Sequence, residues 1–212
     1  MPYRAILWDN DGVLVDTERW YFQATREVLA EIGIELTEAL YLEHFLASSG
    51  GVWHIAAARG LGGTAIESLR QRRNTLYQAY LEQQPLVIPS VPEVLHALRP
   101  HFKMGIVTSS RRDHFETIHR RSGLLGFFDF TLTLEDYANA KPEPDPYLAG
   151  IARTGCALSE CLAIEDAPRG LAAACAAGID CWVIPTDLSR RANFSRAARI
   201  LANVQEVADR LC

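Results

Sequence analysis

Near the start of the chain a continuously apolar run, Ala5-Ile6-Leu7-Trp8, climbs straight into Asp9-Asn10-Asp11-Gly12. A strand with one wet face alternates apolar and polar residues. A run without alternation belongs to a strand covered on both faces, as in a parallel sheet. Parallel neighbours need long crossovers, usually helical, so this one feature predicts an α/β chain. In open sheets of that kind ligands gather at the carboxyl ends of the strands, which is where Asp9 and Asp11 fall. Two acids held so close repel each other unless a cation or a shared proton relieves them.

On these residues alone three other readings stay open. The string fits part of a calcium loop ending at Glu18, although Leu7 then takes the first ligand position and a strand precedes it. It also fits a paired-Asp metal motif of the sugar-nucleotide transferase kind, or a plain solvated turn.

The next convincing strand spans 103–108, and a gap of that length cannot be loop in a compact domain. Helical periodicity fills it. Trp20, Ala24, Val28 and Ile32 recur every four residues, with Gly33 placed as a C-cap. Ile66, Leu69, Leu76, Tyr77, Tyr80 and Leu81 trace a second stripe, and shorter pieces lie at 37–46 and 52–59. Residues 17–85 therefore read as an inserted helical cap, joined near Asp16 and near 85–89 to a core made of 1–16 and 86–212. From there helix and strand alternate: a capping-box start at Ser90-Val91-Pro92-Glu93, strands at 130–134, 161–165 and 181–184, and helices from Asp145-Pro146, from Pro168 and over 203–211. The expected fold is a doubly wound parallel, Rossmann-like sheet with a small α-helical insertion.

A net charge of −5 argues against nucleic acid or an anionic membrane as partner. The five cysteines form no C-x-x-C pair and mostly sit in apolar patterns, which suits free thiols in a reducing cytoplasm. No stretch approaches the roughly 20 apolar residues of a membrane span, no signal peptide is legible, and a monomer is expected.

Polar residues just past successive strands converge on one sheet edge: Asp9 and Asp11, Thr108-Ser109-Ser110, Lys141, and Glu165-Asp166. Hydroxyls and amides on a turn leading into a helix suit a phosphoryl group. Carboxylates without His or thiolate select a hard cation, Mg²⁺ first. Together these are the parts for a covalent aspartyl-phosphate intermediate.

With these residues in place the chain resembles the haloacid dehalogenase superfamily, in the subgroup with a helical cap after the first strand. Trp8-Asp9-Asn10-Asp11-Gly12-Val13-Leu14-Val15-Asp16, Ile106-Val107-Thr108-Ser109-Ser110, Lys141-Pro142-Glu143-Pro144-Asp145 and Ile164-Glu165-Asp166-Ala167-Pro168-Arg169-Gly170 appear in the family's order. The resemblance implies a Mg²⁺-dependent phosphatase of a small phosphorylated metabolite. Asp9 is then the nucleophile. Asp11 is the acid for the leaving alcohol and then the base for water, with its carbonyl on the metal. Thr108 and the Ser109 amide hold the phosphoryl group, and Lys141 neutralises charge. Asp166 completes the metal site, and Glu165 serves as a ligand or through water. Gly12 to Val15 resembles the segment whose winding moves the cap.

The resemblance also sorts the branches. Asp11 disfavours a dehalogenase, which lacks a second Asp there. A phosphosugar mutase of the β-phosphoglucomutase type has a histidine where Tyr21 stands and an arginine that the Ser48-Ser49-Gly50-Gly51-Val52 loop does not offer. Residues 17–85 contain no lysine for a phosphonate-cleaving Schiff base. A non-catalytic phosphometabolite-binding protein has no need of both Asp9 and Asp11. Outside the motifs, the six histidines read as surface or satisfied residues and Trp8 as core. Arg111, Arg112 and Arg169 flank the phosphate site, and Trp53, His54 and Arg59 lie where substrate or cap packing would use them.

Overall fold

The computed structural model describes residues 3–48 and 50–212; Ser49 of the 48–52 loop lies outside the described residues. Six parallel strands form one sheet in the order β3-β2-β1-β4-β5-β6. They are β1 Ala5–Trp8, β2 Lys103–Val107, β3 Phe130–Leu132, β4 Cys161–Glu165, β5 Asp180–Val183 and β6 Arg199–Ile200. The apolar run is the central strand, with Ala5 opposite Lys103 on one side and Cys161 on the other. All four of its residues are buried, which is why alternation is missing from the sequence.

Between β1 and β2 the chain builds α1 (Glu18–Ala30), α2 (Glu38–Tyr41) running into a π-helical turn at Leu42–Leu46, α3 (Trp53–Ala58) and the long α4 (Gly63–Gln83). The predicted stop of α1 is there. Gly33 has φ +68°, its N–H donates to the Ala30 carbonyl, and the Ile34 N–H reaches back to Leu29, both at 3.0 Å. Val28, Leu29, Tyr41, Leu46, Trp53 and Leu69 give these helices an apolar centre of their own. The segments that enter and leave the insertion pair with each other. The Asp16 N–H donates to Leu86 O at 2.7 Å and the Ile88 N–H to Leu14 O at 3.1 Å, so one short two-stranded ribbon carries the whole insertion.

The remaining helices are α5 (Val91–Leu98), α6 (Arg112–His119), α7 (Asp145–Thr154), α8 (Pro168–Ala176) and α9 (Gln205–Leu211). The pleat divides them between two layers. Ile6 and Trp8 pack with Val94, Leu95 and Val207 of α5 and α9, while Ala5 and Leu7 pack with Tyr147, Ile151 and Leu171 of α7 and α8. Helices therefore cover both faces, as the alternation of elements requires.

Some local expectations fail for visible reasons. Ser90 does not cap α5 through its hydroxyl. It sits at φ +70° in a turn closed by the Val91 N–H to Ile88 O bond, with Pro89 before it, and turn geometry takes the residue that the capping box needed. The strand expected to reach residue 134 stops at Leu132. Asp136 Oδ2 accepts from both the Thr133 N–H at 2.8 Å and the Thr133 hydroxyl at 2.9 Å, which turns the chain away. The two-residue edge strand β6 is exposed and had no apolar run to announce it. No helix of the described residues is long and apolar enough to cross a membrane.

Candidate active site

Strands β1, β2 and β4 deliver their polar residues to the same edge. Asp9 follows β1, its N–H tied to Ile164 O at 2.9 Å; Thr108 follows β2, its N–H tied to Leu132 O at 3.0 Å. Glu165 ends β4 with Asp166 next, and Lys141 reaches in from the loop between β3 and α7.

Lys141 is the hub. Its Nζ donates to Asp9 Oδ1 at 2.6 Å, to Glu165 Oε1 at 2.7 Å and to Val107 O at 2.8 Å, so each ammonium hydrogen has an acceptor. Burial opposes its charge, but Asp9 and Glu165 outweigh that and hold its pKa above the ordinary lysine value. Glu165 is fully engaged as well. Oε1 also accepts from the Tyr147 hydroxyl at 2.6 Å, and Oε2 accepts from the Asp166 N–H at 3.2 Å. Its visible work is to hold Lys141 in place.

The remaining acids are crowded. Burial and then the charge of Glu165 push Asp9 up to about 7, against the pull of Lys141. Burial, then Asp9 and Glu165, push Asp166 well above the usual carboxylate range. Asp166 Oδ2 is buried and has no hydrogen-bond partner. Among the described residues, Asp9, Glu165 and Asp166 bring carboxylate oxygens within 4.8 Å of one another. An all-oxygen donor set with an unmatched buried oxygen fits a hard divalent cation such as Mg²⁺. Gly12 makes the packing possible. It adopts φ +84°, and a Cβ there would lie 2.2 Å from Asp166 Oδ2.

Asp11 faces a different set of neighbours. The Thr17 hydroxyl donates to its Oδ1, while the Thr108 hydroxyl at 3.2 Å and the Asn10 amide at 3.3 Å donate to Oδ2. Its carboxylate is outside the cluster of three. On the turn after β2, Thr108 Oγ1 accepts from the Ser110 N–H at 3.0 Å, and the Tyr137 hydroxyl anchors Thr108 O at 2.5 Å. Ser109 Oγ is buried without a partner.

A cavity of about 420 Å³ stands over this floor. The insertion supplies much of its wall, including Tyr21, Trp53, Arg70 and Arg73, and the core adds Arg111 and Arg169. Sequence reasoning missed Arg70 and Arg73. Leu69, Arg73, Tyr77 and Leu81 are the buried residues of α4, each four apart. An arginine in phase with an apolar stripe was the signal to find. Arg73 lies over the Tyr21 ring, its Cζ 4.4 Å from the centroid, and its Nε donates to Asn74 Oδ1 at 2.8 Å. Its Nη1 is buried with no partner. The other flanking residues divide. Trp53 both packs among the inserted helices and lines the cavity. Arg59 donates to Gly33 O at 2.7 Å and His54 packs against His44. The Arg112 guanidinium is taken by Asp136, and its backbone N–H donates to Glu135.

A family model described as haloacid dehalogenase-like hydrolase matches residues 6–184. Fructose-1-phosphate phosphatase YqaB of Escherichia coli (strain K12) is 30% identical over 186 residues, covering 84% of this chain and 94% of the relative. Beta-phosphoglucomutase of Bacillus subtilis (strain 168) is 27% identical over 190 residues, covering 83% and 80%. Among solved structures, CbbY from Rhodobacter sphaeroides in complex with phosphate aligns with a TM-score of 0.81 at 25% identity, over 97% of this chain and 96% of that one. With its strand-tip carboxylates, buried lysine and helical insertion after β1, the chain belongs to the haloacid dehalogenase-like hydrolase family.

Proposed function

We propose that this hydrolase releases inorganic phosphate from a small phosphorylated metabolite, a sugar phosphate in the first instance, through an aspartyl-phosphate on Asp9. The observation that carries the reading is the buried Asp9–Lys141 pair at 2.6 Å on the floor of a cavity whose Ser109 Oγ and Asp166 Oδ2 have no protein partner.

In the first step an Asp9 oxygen attacks phosphorus and the ester P–O bond breaks. The electron pair leaves on the alcohol oxygen, which takes its proton from Asp11. In the second, water attacks phosphorus, Asp11 takes the proton from it, and the bond to Asp9 breaks. Lys141, Thr108 and the Ser109 amide face charge that spreads over the phosphoryl oxygens, so their contribution is electrostatic and set in advance. Asp9 and Asp166 would hold Mg²⁺, with the Asp11 carbonyl and with Glu165 directly or through water; the ion supplies charge neutralisation for the phosphoryl group.

In this reading residues 17–85 are a cap on the core of 1–16 and 86–212, and the ribbon of 13–16 with 86–88 is its hinge. Closure excludes water and brings Arg73 onto the oxygen atoms of the leaving group. A second reading, a phosphosugar mutase, draws on a separate observation: Arg70 and Arg73 of α4 line the cavity and would stand in for the arginine missing from the 48–52 loop.

The test is phosphate release from sugar phosphates, phosphoglycolate and nucleotides, with and without Mg²⁺, for wild type and Asp9→Asn. Metal-dependent release lost in Asp9→Asn is expected. Release that survives the substitution overturns the mechanism. Isomerisation of a sugar phosphate without net release selects the mutase, and tight binding without turnover selects a phosphometabolite-binding protein.

A further inference from the structure

Asn10, between the two motif carboxylates, is fully buried, and its side chain is spoken for on both sides. Its Nδ2 donates to Asp11 Oδ2 at 3.3 Å, and its Oδ1 lies 2.8 Å from His119 Nε2, delivered from α6 across 109 residues of sequence. His119 Nδ1 in turn lies 2.9 Å from Ser122 Oγ, which also accepts the Leu124 N–H at 3.1 Å. The Ser122 hydroxyl proton has two acceptors in reach, Nδ1 at 2.9 Å and the His119 carbonyl at 3.4 Å; the shorter contact takes it to Nδ1, and with Asn10 Oδ1 as acceptor on the other side the partners assign the ring hydrogen to Nε2. The result is one directed chain, Ser122 to His119 to Asn10 to Asp11.

The direction matters because an amide can flip. A flipped Asn10 would set its carbonyl oxygen against the Asp11 carboxylate. A histidine fixed as Nε2–H donor excludes that, since its N–H needs the acceptor Oδ1 opposite it. Burial pulls the His119 pKa down to about 4, so the ring stays neutral and keeps its single ring hydrogen near neutral pH. The other two donors to Asp11 are hydroxyls, which rotate. On the proposed mechanism Thr108 turns to the phosphoryl group, and the Asn10 amide is then the donor left on Oδ2. Phe115 packs against the His119 ring at 4.4 Å between centroids, one helical turn earlier on α6, and holds it there.

We propose that His119 is a positioning residue for the acid–base step, acting through the orientation of the Asn10 amide to fix the Asp11 carboxyl. The inference rests on the reading of Asp11 as general acid, and the experiment separates the two. The value of kcat/KM reports steps up to loss of the leaving group. An alkyl phosphate needs a proton there and p-nitrophenyl phosphate does not, so the ratio of the two values measures acid catalysis. Asp11→Asn should lower that ratio by about two to four orders of magnitude. His119→Phe should lower it by roughly tenfold, a fraction of the acid's full effect. His119→Gln, which keeps a donor toward Asn10, should recover most of the loss. Melting temperatures of all variants are recorded beside the kinetics.

If Asp11→Asn leaves the ratio unchanged, the general-acid reading fails and this inference falls with it. If Asp11→Asn changes the ratio but His119→Phe lowers both substrates equally, or lowers only the melting temperature, His119 is packing alone and the inference is overturned.

Discussion

Lys141 and Arg73 both present buried cations to the same cavity, 2% and 7% exposed, and the protein treats them in opposite ways. Lys141, on the floor, has an acceptor for each ammonium hydrogen, and two of the three are carboxylates. Arg73, in the wall, rests on the face of Tyr21 and leaves Nη1 without a partner. A saturated cation is a fixed part of the electrostatic field in which chemistry occurs. A buried donor with nothing to bind costs free energy in the empty protein and repays it only when a ligand brings an acceptor. Lys141 is thus set in place by the protein alone, and on the proposed function Arg73 gains its missing acceptor from the substrate.

Lys141→Met tests the floor and should show the largest effect. Loss of one preorganised charge at the phosphoryl group lowers kcat by about 10²–10³. It also leaves Asp9 and Glu165 buried without their partner, and breaking a buried pair costs on the order of 3–5 kcal/mol. Urea unfolding of the variant reads the second effect independently of activity. The comparison breaks if Lys141→Met unfolds at the same urea concentration as wild type.

Arg73→Met tests the wall. The lost guanidinium has Asn74 Oδ1 as its hydrogen-bond acceptor in the protein, so stability should change by no more than about 1 kcal/mol. Recognition should change more. A hydrogen bond from a charged donor is worth about 1.5–3 kcal/mol, so the preference for a sugar phosphate over p-nitrophenyl phosphate, as a ratio of kcat/KM, should fall by about 10- to 100-fold. Should Arg73→Met destabilise the protein as much as Lys141→Met does, the division between a saturated Lys141 and an open Arg73 is wrong.

The same contrast explains what could be read from the sequence. Asp9, Thr108, Glu165 and Asp166 each sit at or next to the end of an apolar run, so finding the strand locates the residue. Their convergence then follows from the parallel sheet alone. Lys141 lies on the loop after the third strand, so the strand pattern brings it to the same edge, while its three acceptors come from the fold. Arg73 needed the phase of α4 relative to the cavity, which is decided by how the insertion packs. The apolar stripe was visible, but the arginine within it was not counted as a member. The contact between His119 and Asn10 joins α6 to the β1 turn and has no local signature at all. Histidines outside the motifs were set aside as surface or satisfied. His119 is satisfied, and its partner is what gives it meaning.

His119 gives the smallest predicted effect, and it probes whether the region beneath the floor is as dry as the saturation of Lys141 implies. Its folded pKa is about 4, lowered by burial and only partly restored by Asp11, against roughly 6.5 in the unfolded chain. Between those values the unfolded state binds more protons. The stability this residue confers is therefore complete above about pH 6.5 and is lost as pH falls toward 4. From pH 6.5 to pH 5 the loss amounts to about 1.5 kcal/mol. Asp9 titrates over part of the same window with the opposite sign, because its folded pKa is raised to about 7 and protonation favours the folded state. A pH profile of wild type alone would mix the two. The informative quantity is the difference between wild type and His119→Gln, which keeps Asp9 and removes the imidazole. Urea unfolding at pH 6.5 and pH 5 should show wild type losing about 1.5 kcal/mol more than the variant. Equal losses would mean that His119 is protonated in the folded protein at pH 5. An imidazolium beneath Asn10 would require water or a counter-charge under the floor, and the picture of a sealed, preorganised sheet edge would give way.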